Sequence, residues 1–470
     1  MNQDRSDEEA DASQTLLARD ASAGEMQARA LGARLDRLAI GSFHHRLALI
    51  VAAGLIVDGV DIAISASIGG ALLSTGFTDI EGVGALAMST ALGLGLGGLV
   101  MGFLADRFGR MMMMRINIVI VAVAGLAAAL APTLEVLLVW RALTALALGG
   151  ETVLAYGILT EFMPARRRGL ALAWVALLAT IGLPLSMALA YFIAPLEHGW
   201  RWLLAAPSLA ALVVFGLRLA LPESPLWLAS RGRIRAAEHI VARLEARSPS
   251  FAEMSPAAGA QTAIKAAAPL ASQSATRKGG VASRLLVAGG IHIAAMTAVF
   301  GFVSWLPTFF VASGRDVAAS ALFGAVMTAG APVGGAIALG LADVFERKWM
   351  LVVGAVGACA LGLLYVMADT DAGLMSLGFL TVSAIYFTGI IGMVTYVPEL
   401  FSTAVRLRAL GFVSALGRGA ALAAPMIVPA LFGAFGQGGV VALVCVVLFI
   451  QALLVAWLGP LTNNRSLTQI

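Results

Sequence analysis

Apolar stretches of about twenty or more residues recur along the chain from Leu47 to Leu458. Each is long enough to cross a hydrocarbon layer of about 30 Å as an α-helix. Charged residues make up only 12% of the chain, against roughly 25% in soluble domains, so a polar surface cannot cover the fold. Backbone amides in lipid must bond within their own segment, so even Gly-rich runs are predicted to be helical. The sequence therefore predicts an all-α integral membrane protein.

The apolar runs and the breaks between them predict twelve transmembrane helices in two six-helix bundles related by pseudo-two-fold symmetry. The first six helices are predicted over 47–73, 83–105, 112–131, 134–160, 169–194 and 201–221. The second six are predicted over 284–311, 318–341, 349–368, 373–398, 408–433 and 437–459.

Polar segments divide the chain into five predicted parts. They are an N-terminal segment 1–46, a first bundle 47–221, a linker 222–283, a second bundle 284–459 and a tail 460–470. The linker begins with a charged stretch, predicted to be helical around Arg233 to Arg247, and continues as a flexible Ala/Ser/Pro-rich segment. No cleavable signal peptide is visible, so the first membrane helix is expected to act as the targeting signal.

Cationic residues cluster in the loops on one side of the predicted membrane. The opposite loops hold mainly acidic residues such as Asp79, Glu135 and Asp371. The positive-inside rule therefore predicts that the cationic side and both termini face the cytoplasm. The expected location is the bacterial inner membrane. The cations that decide this orientation are Arg107, Arg110, Arg115, Arg166 to Arg168, Arg347, Lys348, Arg406 and Arg408.

Two internal echoes relate the halves of the chain. The segment GFLADRFGR at 102–110 is echoed by GLADVFERK at 340–348. Glu161 precedes Arg168 by the same spacing as Glu399 precedes Arg406. Parallel repeats of six helices suit a transporter whose halves rock about a central site.

The 102–110 segment resembles the signature loop of the major facilitator superfamily, and the resemblance covers about 34–460. The segments 141–151, 161–169 and 221–228 are similar to the sugar-porter and organic-ion branches. This resemblance implies a secondary transporter that works by alternating access and needs no cofactor.

The first helix is also similar to metabolite–proton symporters, including aromatic-acid carriers. Those carriers have an Asp-Gly-x-Asp pair in the first helix and an Arg in the eleventh, which match Asp58, Asp61 and Arg418. Gly150-Glu151 and Tyr156 are closer to sugar-porter-like and nicotinate-type carriers. The substrate class therefore stays open between these branches.

Three acidic residues at membrane depth are predicted to couple protons: Asp58, Asp61 and Glu151. Asp58 and Asp61 share one helix face, and two adjacent acids raise each other's affinity for protons. Burying a carboxylate at this depth costs about 2.5–3.5 kcal/mol, which favours protonation, pairing or contact with a cavity. The alternative is an acid that bonds backbone or a neighbouring helix and never titrates.

Arg418 and Arg141 are predicted to bind an anionic substrate, because a guanidinium can hold a carboxylate through two parallel hydrogen bonds. The alternatives are a snorkelling side chain for Arg418, and an interfacial anchor or a pair with Glu135 for Arg141. Three aromatic residues are predicted to shape the substrate site, namely Trp305, Tyr386 and Tyr156.

Charged residues in the signature loop and its echo are predicted to gate the conformational change. Glu161 is expected to join Arg168 or the Asp106 loop in this network. The alternative is a simple turn that sets topology. The predicted gating set is Gly102, Asp106, Arg107, Gly109, Arg110, Glu161, Arg168, Asp343, Arg347, Glu399 and Arg406.

The run from Gly93 to Gly98 spells a dinucleotide fingerprint, but no strand precedes it. It is therefore predicted to be a helix-packing surface of small residues. No phosphate-binding loop is present in the sequence, which argues against direct use of ATP.

The sequence as a whole predicts a monomeric, non-enzymatic symporter that imports a small organic acid, such as an aromatic carboxylate, with a proton. Its expected partners are the substrate, the proton and the lipid bilayer, with no metal and no nucleic acid. The alternatives are a sugar or other neutral-metabolite symporter, an exporter of the same fold, and a non-transporting sensor.

The gating prediction can be tested with Asp106→Asn. This change should lower turnover more than substrate affinity, because the loop acts on the conformational change and not on the substrate. Initial uptake rates against substrate concentration in proteoliposomes separate the two quantities. A raised KM with unchanged turnover would contradict a gating role.

Overall fold

The computed structural model describes residues 30–246, 280–342, 344–401 and 403–462, without the side chains of 66, 165, 166 and 403–408. All regular structure in these residues is helical, and no strand occurs among them. The predicted all-α membrane fold is confirmed. We call the side where the first membrane helix begins and the linker lies the terminal side, and the opposite side the far side.

The six membrane helices of the first half lie close to their predicted positions. The first begins earlier than predicted, because its opening turn is polar and the sequence pattern detects only the apolar part. The fifth is interrupted at Thr180 and Ile181. The observed helices are Ser42–Ser74, Ile80–Phe108, Arg110–Ala129, Leu134–Phe162, Ala165–Ala179 with Gly182–Ile193, and Gly199–Arg218.

The second half repeats this pattern with more irregular backbone. The seventh helix contains π and 3₁₀ turns over Ala298–Phe302 and Val303–Trp305, and the tenth contains a π segment over Ile391–Tyr396. The helix Thr403–Leu458 is two helices joined at Gly436, whose φ of 61° breaks the α-helical backbone near the predicted boundary. The remaining bounds are Val281–Ala312 for the seventh helix overall, Val317–Thr328 with Gly330–Leu341, Arg347–Val366, and Asp371–Glu399.

Short helices cover the terminal side of the first bundle. Linker helices run over Pro225–Ser230 and Ile234–Glu245, and a helix over 30–37 packs on them through Leu31 and Leu35. Arg34 pairs with Glu245 at 2.6 Å, and this hydrogen bonding raises the pKa of the Arg34 guanidinium. The predicted helical stretch of the linker is thus observed, while 247–279 lies outside the described residues.

Small residues let the second and fourth helices approach closely. A Cβ built on Gly93 would lie 2.7 Å from Ala145 Cβ, and one built on Gly97 would lie 3.1 Å from the Gly150 amide nitrogen. The glycine run at 93–98 is therefore a packing surface, as predicted.

Among the described residues, the two bundles share apolar core clusters only towards the far side. There, Val83 of the first bundle packs with Trp305 and Phe309 of the second, and Ala321 packs with the core of the first. On the terminal side each described core cluster draws its residues from a single bundle. The apolar contact between the bundles is therefore concentrated at the far side.

The first and fifth helices cross where two glycines meet. A Cβ on Gly182 would lie 2.7 Å from Gly59 Cα, whereas a Cβ on Gly216 would meet nothing within 4 Å. Gly182→Ala should therefore lower the thermal unfolding temperature by overpacking, at a cost of about 1–3 kcal/mol. Gly216→Ala is the matched control. Equal thermal stability of the two variants by fluorescence-detected chromatography would contradict the close crossing.

Candidate substrate and proton site

Five charged side chains lie buried inside the first bundle. Asp58 and Asp61 come from the first helix, Arg141 and Glu151 from the fourth, and Arg218 from the end of the sixth. Asp58 is 3% exposed and the other four are fully buried. Because charge at membrane depth is costly unless it is paired, their partners decide what these groups can do.

Arg141 forms a buried ion pair with Asp61. Its Nη1 donates to Asp61 Oδ2 at 2.9 Å, and its Nη2 donates to Ser65 Oγ at 2.8 Å and to the Asp61 carbonyl at 3.1 Å. The alternatives of an interfacial anchor and a pair with Glu135 are therefore wrong. Residue spacing could not reveal this pair, because it joins two helices whose contact depends on packing. A substrate contact of Arg141 stays a prediction.

Glu151 forms a second buried ion pair, with Arg218. Both carboxylate oxygens accept from the guanidinium, which also donates from Nη1 to the Met114 carbonyl at 2.9 Å. Asn117 Nδ2 donates to Glu151 Oε2 at 3.0 Å. The sequence analysis missed Arg218 and Asn117, although Arg218 lies inside a predicted membrane helix, where a cation signals a buried partner.

Asp58 has no such partner. Neither of its carboxylate oxygens makes a hydrogen bond in the described part of the chain. Glu151, Arg218 and Asp61 are the charged groups that act on it electrostatically. One turn earlier, Gly54 leaves space that the Arg218 guanidinium occupies. Two arginines thus balance two acids, and Asp58 is a third acid that has no counter-charge of its own among the described residues.

Arg418 extends from the eleventh helix to the first bundle. Its Nη1 donates to the carbonyls of Leu94 and Gly95 in the second helix, at 2.5 and 3.0 Å. A Cβ on Gly98 would lie 2.8 Å from Arg418 Nη2, so glycine makes room for the guanidinium. The snorkelling alternative is therefore wrong, because the side chain bridges the bundles. Its predicted contact with substrate stays a prediction.

A small cavity of about 30 Å³ lies between the bundles beside the Asp61–Arg141 pair. Trp305 lines it together with the hydroxyl-bearing residues Ser65, Thr90, Ser304 and Thr308. Ser65 Oγ lies 3.2 Å from Thr90 Oγ1 and also accepts from Arg141. This volume has room for about one water molecule, so the cavity is closed to larger solutes in this conformation.

The two tyrosines predicted for the substrate site do not line this cavity. Tyr156 packs on the terminal-side core of the first bundle, and Tyr386 packs on the far-side core of the second. Both therefore serve in this conformation as packing residues. The apolar sequence around a tyrosine does not distinguish packing from a ligand contact.

Arg110 organises the signature loop of the first bundle. It donates to Asp106 and, at 3.2 Å, to Glu161 Oε1. Glu161 therefore joins the Asp106 loop, as one of the two predicted options, while Arg168 pairs with Asp36 at 3.0 Å instead. The other predicted gating residues of this loop lie close by. Arg107 lies over the Phe108 ring, and a Cβ on Gly102 would lie 3.7 Å from Val153. Gly109 has a φ of 114° and lies beside Glu223.

The second bundle repeats this ion pair at the equivalent place. Arg347 Nη1 donates to both oxygens of Glu399, at 2.7 and 2.8 Å. The echo in the sequence thus corresponds to a repeated structural pair between helices three and four and between helices nine and ten. Asp343 lies outside the described residues, as does the side chain of Arg406, and their gating roles stay predictions.

A family model described as "Sugar (and other) transporter" matches residues 54–470. The chain belongs to this family. The resemblance to the major facilitator superfamily and to metabolite carriers is thereby confirmed, and the family and fold are those of transporters. The chain is accordingly a multi-pass membrane protein of a transport family.

Two curated transport proteins and one solved structure are similar to nearly the whole chain. The inner membrane metabolite transport protein YdjE of Escherichia coli K12 is 31% identical over 446 residues, which are 94% of this chain and 98% of YdjE. The niacin transporter NiaP of Acinetobacter baylyi is 29% identical over 448 residues, 94% of this chain and 99% of NiaP. The xylose transporter XylE from E. coli, solved in a partially occluded inward-open conformation, shares the fold with a TM-score of 0.73 at 19% identity, covering 91% of this chain and 100% of XylE.

The buried Glu151–Arg218 pair generates a stability prediction. Arg218→Gln should destabilise the protein by about 3–5 kcal/mol, because it leaves Glu151 buried and unpaired. The double variant Glu151→Gln with Arg218→Gln should recover much of that loss. Breaking the exposed Arg315–Asp371 pair with Arg315→Gln is the control and should cost about 0–1 kcal/mol.

The measurement is the free energy of unfolding of each variant in detergent micelles. A loss for Arg218→Gln as small as that for Arg315→Gln would show that the pair is not buried. A double variant as unstable as the single one would show that Arg218 acts through its bond to Met114 instead.

Proposed function

We propose that this transporter imports a small organic acid together with a proton by alternating access. The observation that carries the proposal is Asp58, a buried carboxylate that lies beside two balanced ion pairs and has no hydrogen-bond partner in the described part of the chain. A proton on Asp58 would make the cluster neutral, and its loss would leave an uncompensated charge at membrane depth. Occupancy of this group by a proton is therefore linked to the conformation of the first bundle.

The substrate anchor in this proposal is Arg418. Arg141 is already held by Asp61, whereas Arg418 bonds only backbone carbonyls among the described residues. A substrate carboxylate offers a guanidinium a stronger, charge-assisted pair of hydrogen bonds than a carbonyl does. Binding would thus release Arg418 from Leu94 and Gly95, which loosens one link between the bundles. The niacin transporter among the relatives is consistent with an aromatic carboxylate as substrate.

The direction of transport rests on the orientation of the chain. We take the terminal side as cytoplasmic, because the cationic loops lie there, so the conformation with bundles joined at the far side faces inward. A proton and substrate taken up from outside would then be released to the cytoplasm. The proposal assigns this work to a monomer in the bacterial inner membrane, driven by the proton gradient without a cofactor.

A neutral sugar is the second candidate substrate. The hydroxyl-lined cavity at Ser65, Thr90 and Thr308 supports it, because hydroxyls suit a polyol as well as an acid. Structures of a D-xylose–proton symporter share the fold. The two candidates differ in their need for Arg418, since a neutral polyol has no carboxylate to pair with it.

Purified protein in liposomes tests proton coupling. An inward proton gradient should drive accumulation of labelled benzoate or nicotinate, and Asp58→Asn should abolish that accumulation while substrate exchange across the membrane continues. Asp369→Asn, which changes an exposed loop acid in the same way, is the matched control. Accumulation by Asp58→Asn that still follows the gradient would remove Asp58 from the mechanism.

The same liposomes distinguish the two substrate classes. Arg418→Gln should lower acid uptake by about tenfold or more, the effect of losing roughly 1.4 kcal/mol or more of a charge-assisted pair. Uptake of labelled xylose, if it occurs, should fall less. Xylose uptake that exceeds acid uptake in the wild type would favour the sugar candidate.

A further inference from the structure

Two hydroxyl groups of the first bundle line the small cavity between the bundles, and their hydrogens are already engaged. Arg141 Nη2 donates to Ser65 Oγ at 2.8 Å. Thr90 Oγ1 donates to the Leu86 carbonyl at 3.0 Å, because a carbonyl oxygen can only accept. The 3.2 Å contact between the two hydroxyls must then take its hydrogen from Ser65. A directed chain of hydrogen bonds thus runs from the buried guanidinium through both hydroxyls to the backbone of the second helix.

This chain leaves the two hydroxyls able only to accept from a group in the cavity. A hydroxyl has one hydrogen and two acceptor sites. Ser65 and Thr90 each use the hydrogen and one acceptor site within the chain. One lone pair on each oxygen therefore remains for a ligand. A carboxylate or ether oxygen placed here would face these lone pairs without a hydrogen between them, whereas a hydroxyl or an N–H group would complete the pattern.

The Asp61–Arg141 ion pair fixes the direction of the chain. Arg141 is fully buried, and its Nη1 donates to Asp61 Oδ2 at 2.9 Å. A guanidinium keeps its protons and cannot accept a hydrogen bond, so Ser65 meets a donor on that side. Turning the Ser65 hydrogen into the cavity would break its bond to Thr90 and leave both lone pairs of Thr90 unfilled. The arrangement therefore favours a ligand that supplies the hydrogen itself.

The proposed anchor for the substrate carboxylate lies one helical turn away from these hydroxyls. Arg418 bonds to the Leu94 carbonyl, and Leu94 follows Thr90 by four residues in the second helix. Four residues advance an α-helix by about 6 Å and return to the same face. A substrate that reaches from Arg418 to the two hydroxyls therefore needs its carboxylate and its donor at opposite ends. A six-membered ring with para substituents has about this span.

We propose that the transported acid carries a hydrogen-bond donor, such as a hydroxyl, at the end opposite its carboxylate, and that Ser65 and Thr90 accept its hydrogen. The inference rests on the proposed function, because it takes Arg418 as the carboxylate anchor. It makes Thr90 a residue that determines specificity among organic acids. The second bundle lines the same cavity through Ser304, Trp305 and Thr308, so the donor would be held where the two bundles meet.

Exchange of labelled acids across liposome membranes, without a pH gradient, tests the inference separately from proton coupling. The probes are benzoate, para-hydroxybenzoate, para-methoxybenzoate and terephthalate, which share one ring and differ in the para substituent. We expect the KM of para-hydroxybenzoate to be roughly tenfold lower than that of benzoate, because benzoate leaves the acceptors unpaired. Para-methoxybenzoate and terephthalate, which bring only acceptors, should exchange no better than benzoate.

Variants of Thr90 decide whether this residue causes the preference. Thr90→Val keeps the shape of the side chain but removes the acceptor, and should reduce the preference for para-hydroxybenzoate over benzoate to about twofold or less. Thr90→Ser should retain most of it. Thr388→Val is the matched control, because Thr388 is also buried and donates to a carbonyl one turn earlier but does not line the cavity. It should leave the preference unchanged.

The possible outcomes separate this inference from the proposed function. Equal KM values for benzoate and para-hydroxybenzoate, or exchange of terephthalate as efficient as that of para-hydroxybenzoate, would overturn the inference and leave acid transport standing. A preference that Thr90→Val retains would also overturn it. Exchange of xylose but of none of the acids would overturn the proposed function and this inference with it. The wild-type series of acids alone decides the outcome if Thr90→Val does not fold.

Discussion

Charge inside a membrane needs a counter-charge, and this requirement organises the first bundle. Two buried ion pairs meet this requirement, Asp61–Arg141 and Glu151–Arg218. In each pair the two charges neutralise each other. Asp61–Arg141 joins the first helix to the fourth, and Glu151–Arg218 joins the fourth to the sixth. A pair of this kind stabilises only while both members are present. The same requirement makes Asp58 conspicuous, because a third acid in the cluster can be neutral only if it carries a proton.

Close packing of small residues determines where the apolar helix surfaces contact each other. Lipid gives apolar helices little reason to prefer each other to acyl chains, so contact depends on surfaces that fit. The glycines at 93, 97 and 98 present two such surfaces on one helix: the first two accept the fourth helix, and the third accepts the Arg418 guanidinium. The same glycine spacing that marks a dinucleotide site in soluble proteins thus serves helix packing here. It brings the second and fourth helices together and accommodates Arg418 of the second bundle.

The apolar runs were sufficient to place the helices, because lipid demands one uninterrupted stretch for each crossing. The internal echo also located Arg110, Glu161, Arg347 and Glu399, which form equivalent pairs in the two halves. What the sequence could not provide is the choice of partner across helices. Arg141 pairs with Asp61 and not with nearby Glu135, and Arg168 pairs with Asp36 and not with Glu161, because helix rotation and tilt decide these contacts. The position of Arg218 inside a predicted membrane helix signals a buried cation, but it does not reveal Glu151 as the partner. The turns that interrupt the fifth, seventh and tenth helices leave no simple periodic signal.

The contact of Arg418 with two adjacent backbone carbonyls has a consequence for how the bundles can move. An α-helix presents the same ladder of carbonyls every turn, about 5.4 Å along its axis. If the guanidinium leaves Leu94 and Gly95, it meets an equivalent pair of carbonyls only after a full turn. At intermediate positions its hydrogen bonds to the carbonyls would have poorer geometry. Movement of the eleventh helix along the second would therefore favour discrete positions that are one helical turn apart.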